Sequence, residues 1–137
     1  MSDCLFCKII KGEIPCQKVY EDGDVFAFLD IQPVNVGHTL VVPKAHFANC
    51  GETPDEALAA VMSVAKRVGA AALKVTGAQG YNVGINCGAV AGQVIMHTHV
   101  HVMPRFEGDG LAHWPKKTVS KEEMEKAAAG IAAALTA

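Results

Sequence analysis

Three histidines stand two residues apart in the stretch MHTHVHVM, at His97, His99 and His101, in a chain of 137 residues that holds six. Imidazole is the side chain best suited to move protons, attack electrophiles or bind metal near neutral pH. Two-residue spacing is that of a strand, which sends all three rings to one face and Thr98, Val100 and Val102 to the other. Neighbouring histidine Cα atoms then lie roughly 6.7 Å apart and the outer pair about 13 Å apart. A zinc ion needs every ring nitrogen at about 2.0–2.1 Å, so one ion shared by the whole row would strain it. A division of labour fits better. A neutral imidazole can attack phosphorus with one ring nitrogen while the other donates to a fixed acceptor. A neighbour one strand-step away can hydrogen-bond the phosphoryl oxygens or the leaving group. His99, flanked on both sides, is the nucleophile of such a set.

A second chemical signal sits at the N-terminus. Cys4 and Cys7 in CLFC have the spacing of zinc ligands or of a redox pair. The redox reading expects a surrounding βαβ pattern, which this segment lacks. Two cysteines alone do not complete a tetrahedral structural site, so a metal here requires two further ligands.

These residues need a scaffold. Residues 19–20 and DVFAFLD (24–30) read as short strands around a turn, and HTLVVP (38–43) as another, closed by Pro43. Thr53 and Glu56 form a capping-box pattern with Pro54 at the first helical position. The apolar stripe Leu58, Val61, Met62, Ala65, Val68, Ala72 and Val75 then predicts a helix that stops at Gly77. YNVGIN (81–86) and VIMHTHVHVM (94–103) are strand candidates around the loop CGAVAGQ. Ser120 with Glu123 opens a helix through about Leu135. Strands grouped with two helices predict an α+β fold with a mainly antiparallel sheet.

The bulk numbers exclude some partners. A net charge of −2 leaves no electrostatic footprint for a nucleic-acid backbone or an anionic membrane. No run approaches the roughly 18 apolar residues of a membrane span, and the N-terminus does not read as a signal peptide. Five cysteines, an odd count, argue against a complete disulfide framework. A soluble, cytoplasmic protein of one domain is expected.

The segment HTHVHVM resembles the signature of the histidine-triad family, although Thr98 is only half-apolar where the pattern prefers a hydrophobe. CLFCKIIKGEIP, VFAFLDIQPVNVGHTLVVPKAH and NVGINCGAVAGQVIMHTHVHVMPR are similar to family segments in family order. Together they cover residues 4–114, with 115–137 as a tail and helix. The resemblance implies a five-stranded antiparallel sheet with one long helix and a C-terminal helix. It implies cleavage at the α-phosphorus of nucleoside 5′-phosphate derivatives through a nucleotidyl-histidine on His99. His101 would contact the phosphate and assist the leaving group, with His38 of GHTL near the α-phosphate. Asp30 would accept from the ribose hydroxyls, as a carboxylate can take two donors at once. Phe28 and Ile31 would wall the base pocket. Asn86 would support the phosphate, with the backbone run Gly92, Gln93 and Val94 beside it. Val94 stands where the phosphoramidase branch has serine, so a hydroxyl near the leaving group is missing.

The same resemblance implies a structural zinc, one per chain, on Cys4, Cys7, His46 and His97, leaving His99 and His101 for chemistry. Purine nucleoside phosphoramidates, such as AMP or GMP derivatives, are the expected substrates, because Asn86 stands where the dinucleoside-polyphosphate branch has glutamine. The alternatives are that dinucleoside polyphosphate hydrolase activity, which the missing serine suits, and a nucleotide-binding regulatory protein with incidental hydrolysis. A homodimer is implied, with Trp114 placed where a tail could meet its partner; Trp114 packing on its own subunit is the other reading.

Overall fold

The computed structural model of the chain describes residues 3–136. Five strands, β1 (Lys18–Glu21), β2 (Val25–Leu29), β3 (Thr39–Pro43), β4 (Gly80–Ile85) and β5 (Val100–Arg105), make one antiparallel sheet in the order β1-β2-β3-β5-β4. Three α-helices accompany it: α1 (Leu5–Ile10), α2 (Asp55–Thr76) and α3 (Lys121–Leu135). The α+β architecture read from the sequence is therefore the observed one. Among the described residues, no helix is long and apolar enough to cross a membrane.

Strand alternation sorts the core into two layers. Val25, Ala27, Val41, Val100 and Val102 point to one face and pack on Val61, Val64, Ala65 and Val68 of α2. Phe26, Phe28, Leu40 and Val42 point to the other and meet Phe6 and Ile9 of α1. Each fully buried aliphatic or phenyl side chain contributes about 1.5–3 kcal/mol. His101 alternates with Val100 and Val102, so it belongs to the α1 face.

Helix α1 was not expected from the sequence. Six residues span fewer than two turns, so its apolar periodicity shrinks to Phe6 and Ile9, too little to register as a stripe. Tertiary packing of those two side chains stabilises it, and Cys4 Sγ caps it by accepting from the Cys7 N–H at 3.4 Å.

The capping box at Thr53 does not form. Helix α2 starts at Asp55 behind Pro54, which makes no side-chain cap. The Thr53 hydroxyl instead donates to the Asn49 carbonyl at 2.7 Å and lies 2.6 Å from the Thr98 hydroxyl, tying the helix start to the histidine segment. Asp55 and Glu56 favour the helix N-terminus through its dipole, and Gly77 (φ 79°) closes the other end as expected. Within α2, a Cβ on Gly69 would overlap the Tyr81 ring of β4. Gly69→Ala gains about 1 kcal/mol of helix propensity but overpacks that contact by about 1–3 kcal/mol. Thermal unfolding should therefore show Tm lowered by a few degrees; a rise would mean the ring steps aside freely.

Strand β5 begins later than expected. Its ladder with β3 runs only from Val41↔Val100 to Thr39↔Val102. Ahead of Val100 the backbone follows another loop, with the Thr98 N–H donating to the Phe47 carbonyl at 2.8 Å. Pro43 ends β3 here, and its carbonyl takes the His97 ring instead. The face alternation nevertheless holds, because Thr98 reaches toward Thr53 while His97 and His99 meet Phe6. Ser120 caps α3 as expected, its hydroxyl accepting from the Glu123 N–H at 3.1 Å. Residues 111–136 are all exposed.

Candidate active site and metal-ligand cluster

On the α1 face the sheet carries a hollow of about 360 Å³. Phe28, Asp30, Ile31, Asn86, Gly92, Val94, His99 and His101 line it. Three wider depressions, about 680 Å³ beside Arg105, about 620 Å³ beside Lys44 and about 510 Å³ between β1 and α2, hold none of the triad. Phe28 is buried whereas Ile31 is 92% exposed, so the former is wall and the latter rim. Sequence reading missed much of the wall: Phe6 and Ile9 from α1, Ile14, Cys16, Leu40 and Ile95. The Phe6–Ile9 spacing was the available signal for the first two.

The hydrogen bonds fix which ring nitrogens carry protons. His99 Nδ1 lies 2.7 Å from the His97 carbonyl, which can only accept, so Nδ1 holds the hydrogen. Nε2 is then a bare lone pair. It has no hydrogen-bond partner among the described residues, and no buried side-chain nitrogen there is left unpaired, so it keeps solvent access. Phe6 meets the ring edge to face, at 5.1 Å between centroids.

A second chain of bonds runs through His38. Its Nδ1 accepts from the Val34 N–H at 3.1 Å, which places its proton on Nε2. Nε2 lies 2.9 Å from His101 Nδ1 and donates to it, which leaves the His101 proton on its own Nε2. His99 thus offers a lone pair beside a ring that offers a donor, the two centroids 5.0 Å apart. Burial holds all three rings neutral. It depresses the His99 pKa below the ordinary 6.5, against the opposing pull of the His97 carbonyl and the Asp30 charge. It also lowers His38, opposed by Asp30, and takes His101 to about 4, aided by His99 and His38. Asp30 Oδ2 sits 3.6 Å from His38 Nε2, while Oδ1 accepts from the Gln32 N–H at 2.8 Å.

Asn86 and Gly92 form a unit. Asn86 Nδ2 donates to the Gly92 carbonyl at 3.3 Å, and Gly92 (φ 100°) has room for no Cβ without crowding that amide. Gln93 stands apart from the hollow. Its amide accepts from the Gly88 N–H and donates to the carbonyls of Ala48 and Ile95, while its own N–H donates to the Gly88 carbonyl. It pins the approach to the triad. Val94 is 84% exposed on the rim.

Behind the triad, Cys4, Cys7, His46 and His97 bring four ligand atoms within 4.8 Å of one another. His97 Nδ1 lies 3.4 Å from Cys4 Sγ, 3.6 Å from Cys7 Sγ and 3.2 Å from His46 Nδ1, and His46 Nδ1 lies 3.5 Å from Cys7 Sγ. A tetrahedral zinc with bonds near 2.3 Å to sulfur and 2.0–2.1 Å to nitrogen has edges of roughly 3.3 Å (N–N) and 3.6 Å (S–N). The donor set fits that polyhedron. His97 Nε2 donates to the Pro43 carbonyl at 2.8 Å, which turns its Nδ1 lone pair into the cluster. Burial, then the neighbouring Cys4, raises the Cys7 thiol pKa, so a cation is what would draw the thiolate out. The other close group, Asp30 with His38 and His101, already spends its facing ring nitrogens on a shared proton.

Residues 11–108 match the HIT domain family model. The chain is 43% identical over 124 residues to adenosine 5′-monophosphoramidase hnt1 of Schizosaccharomyces pombe, covering 89% of this chain and 90% of that protein. It is 43% identical over 124 residues to adenylylsulfatase HINT3 of Arabidopsis thaliana, covering 90% of this chain but only 62% of that longer protein. A zinc-bound histidine triad family protein from Mycobacterium smegmatis superposes with a TM-score of 0.79 at 38% identity, over 91% of this chain and 89% of the other.

Proposed function

The chain belongs to the HIT domain family, and from that premise we propose a nucleotide hydrolase that cleaves at the α-phosphorus of nucleoside 5′-phosphate derivatives. The carrying observation is the pair of ring nitrogens in the hollow, a bare Nε2 on His99 beside a protonated Nε2 on His101. In this reading the His99 lone pair forms a bond to phosphorus as the bond to the leaving group breaks. The neutral His101 N–H, oriented by the His38 N–H, hydrogen-bonds the phosphoryl oxygens as charge moves onto them, and the departing atom takes its proton from solvent. Water then attacks the nucleotidyl-histidine and releases the nucleoside monophosphate. Asp30 takes the ribose hydroxyls, and the apolar wall at Phe28 takes the base.

A purine nucleoside phosphoramidate is the favoured substrate, supported by Asn86 at the hollow and by the activity that the S. pombe relative's name carries. Turnover of adenosine 5′-phosphoramidate against diadenosine polyphosphates tests the choice. Much faster cleavage of the polyphosphates would replace this substrate class with the one that the apolar Val94 rim suits.

Zinc on Cys4, Cys7, His46 and His97, one per chain and structural, belongs to the same reading. Its support is the tetrahedral spacing and the zinc-bound M. smegmatis neighbour. So do residues 1–137 as a single domain, a cytoplasmic location in keeping with free thiols at Cys16, Cys50 and Cys87, and a homodimer. The dimer is supported by β4, an edge strand with Asn82 and Val83 exposed, and by Trp114, 89% exposed on an uncovered tail.

The protonation scheme has a sign. All three rings work as neutral species with pKa values depressed by burial, so acid removes activity and base does not. The profile of kcat/KM should stay flat through neutrality and fall only below 6.5, toward the His101 value of about 4. A midpoint above 6.5, or full activity below pH 4, would contradict the scheme.

A further inference from the structure

The turn between β2 and β3 carries Val34, whose N–H decides where the His38 proton sits. The anchor of that turn lies outside the hollow. Asn35 Nδ2 donates to the Pro104 carbonyl at 2.9 Å and to Asp109 Oδ2 at 3.1 Å, partners 69 and 74 residues distant in sequence. The Asn35 carbonyl accepts from the His38 N–H at 3.2 Å, so the same residue grips the turn from both ends.

Asp109 is itself immobilised. Its Oδ2 also accepts from Arg105 Nε at 2.8 Å and the Phe106 N–H at 3.0 Å. Its Oδ1 accepts from Arg105 Nη2 at 3.1 Å and the Leu111 N–H at 3.0 Å. Arg105 is held in turn by Asn82 Oδ1 at 2.8 Å and the Leu111 carbonyl at 2.9 Å. Gly37 closes the remaining side. A Cβ there would come within 3.1 Å of Thr76 Cγ2 and 3.2 Å of Pro104 Cγ, so the turn lies flush against α2 and β5.

On the hydrolase reading above, we propose that Asn35 is a positioning residue for the histidine relay. Clamped by Asp109 and the Pro104 carbonyl, it holds the Val34 N–H against His38 Nδ1. That contact keeps the His38 proton on Nε2, directed at His101, and leaves His101 a donor into the hollow. Asn35 itself touches neither substrate nor reacting atoms. Without the clamp, His38 is free to carry its proton on Nδ1 and present a lone pair to His101. Each ring keeps one proton, but His101 must then hold its own on Nδ1. Its Nε2 becomes an acceptor facing an anionic phosphoryl oxygen, and a stabilising contact turns repulsive.

Nitrogen-15 NMR of ring-labelled histidines in the full, metal-loaded chain tests this, alongside steady-state kinetics with adenosine 5′-phosphoramidate. The wild type should show His38 as one neutral tautomer protonated at Nε2. Asn35→Ala should show a mixture, with kcat reduced about tenfold to a hundredfold and KM within about threefold. An unchanged His38 ring pattern, or a kcat within about twofold of wild type, overturns the proposal. Asn35→Ser, which keeps a shorter donor, takes the same measurements should the alanine variant not fold. Asp109→Asn, equal in size, should move the same ring signals from one link further out. If the wild type turned over no nucleotide, the hydrolase reading would fail, while the ring spectra would still decide the clamp.

Discussion

His99→Ala is expected to reduce turnover of adenosine 5′-phosphoramidate by at least about 10⁴-fold, the scale on which removal of a covalent nucleophile acts. AMP should still bind within about tenfold of the wild-type affinity, a difference of about 1.4 kcal/mol. The two halves follow from different parts of the hollow. In the proposed reading chemistry depends on one ring nitrogen, bare because the other is committed to the His97 carbonyl. In the same reading binding depends on the apolar wall of Phe6, Ile9, Phe28 and Leu40 and on Asp30, which line the hollow and which the substitution leaves in place. Single-turnover kinetics and calorimetry with AMP measure the two separately. A variant that kept more than about one hundredth of the wild-type rate would place the nucleophile elsewhere. Loss of AMP binding together with rate would show that the ring acts as pocket wall, and the mutant would then say nothing for covalent chemistry. His101→Ala gives a useful contrast, since it removes a donor and leaves the attacking lone pair in place.

Legibility in the sequence tracked the range of the interaction concerned. Alternation at His97, His99 and His101 is a two-residue property, and the face it assigns survives even where the β-ladder has not begun. The long helix announced itself through seven apolar positions, and Gly77 marked its end. What stayed hidden was set by distant partners. Thr53 looks like a helix cap until Asn49 and Thr98 compete for its hydroxyl. Gln93 stands in the backbone run expected beside the phosphate, and that its side-chain amide binds three distant backbone groups has no local signal. The relay between His38 and His101 spans 63 residues, and no local pattern announces that two such rings share a proton. Helix α1 is the costliest omission, because six residues deliver Cys7 of the candidate metal cluster, the wall at Ile9 and the Phe6 ring against His99. Resemblance to a family supplied the residue types of the site; the tautomers came only from the geometry.

On the zinc reading proposed above, removing the metal should undo both stability and catalysis through that same helix. Cys4→Ser is expected to lower bound zinc from about one per chain to below about a tenth, and to lower Tm by more than about 10 °C, since a structural zinc adds its binding free energy to folding. Cys4 both joins the ligand cluster and caps α1, so its loss frees the helix whose Phe6 packs on His97, His99 and Phe28. His97 is completely buried and Cys7 nearly so, so both would lose the ion while staying out of water. The rate should therefore fall with the metal even though none of the four residues lines the hollow, and re-addition of zinc to chelated wild type should restore it. Acid should act in the same direction. In the metal-free chain burial already depresses the folded-state pKa of His97 from 6.5 to about 4, so between those values the unfolded chain binds the proton more readily. Stability is then fully present above about 6.5 and lost as pH falls toward 4, while protons also compete with the ion for Nδ1. Elemental analysis and thermal melts at pH 7.5 and 5 measure both effects. Freshly purified protein without zinc, or a Cys4→Ser variant with unchanged Tm, would leave the cluster as four packed side chains and return α1 to the apolar contacts of Phe6 and Ile9 alone.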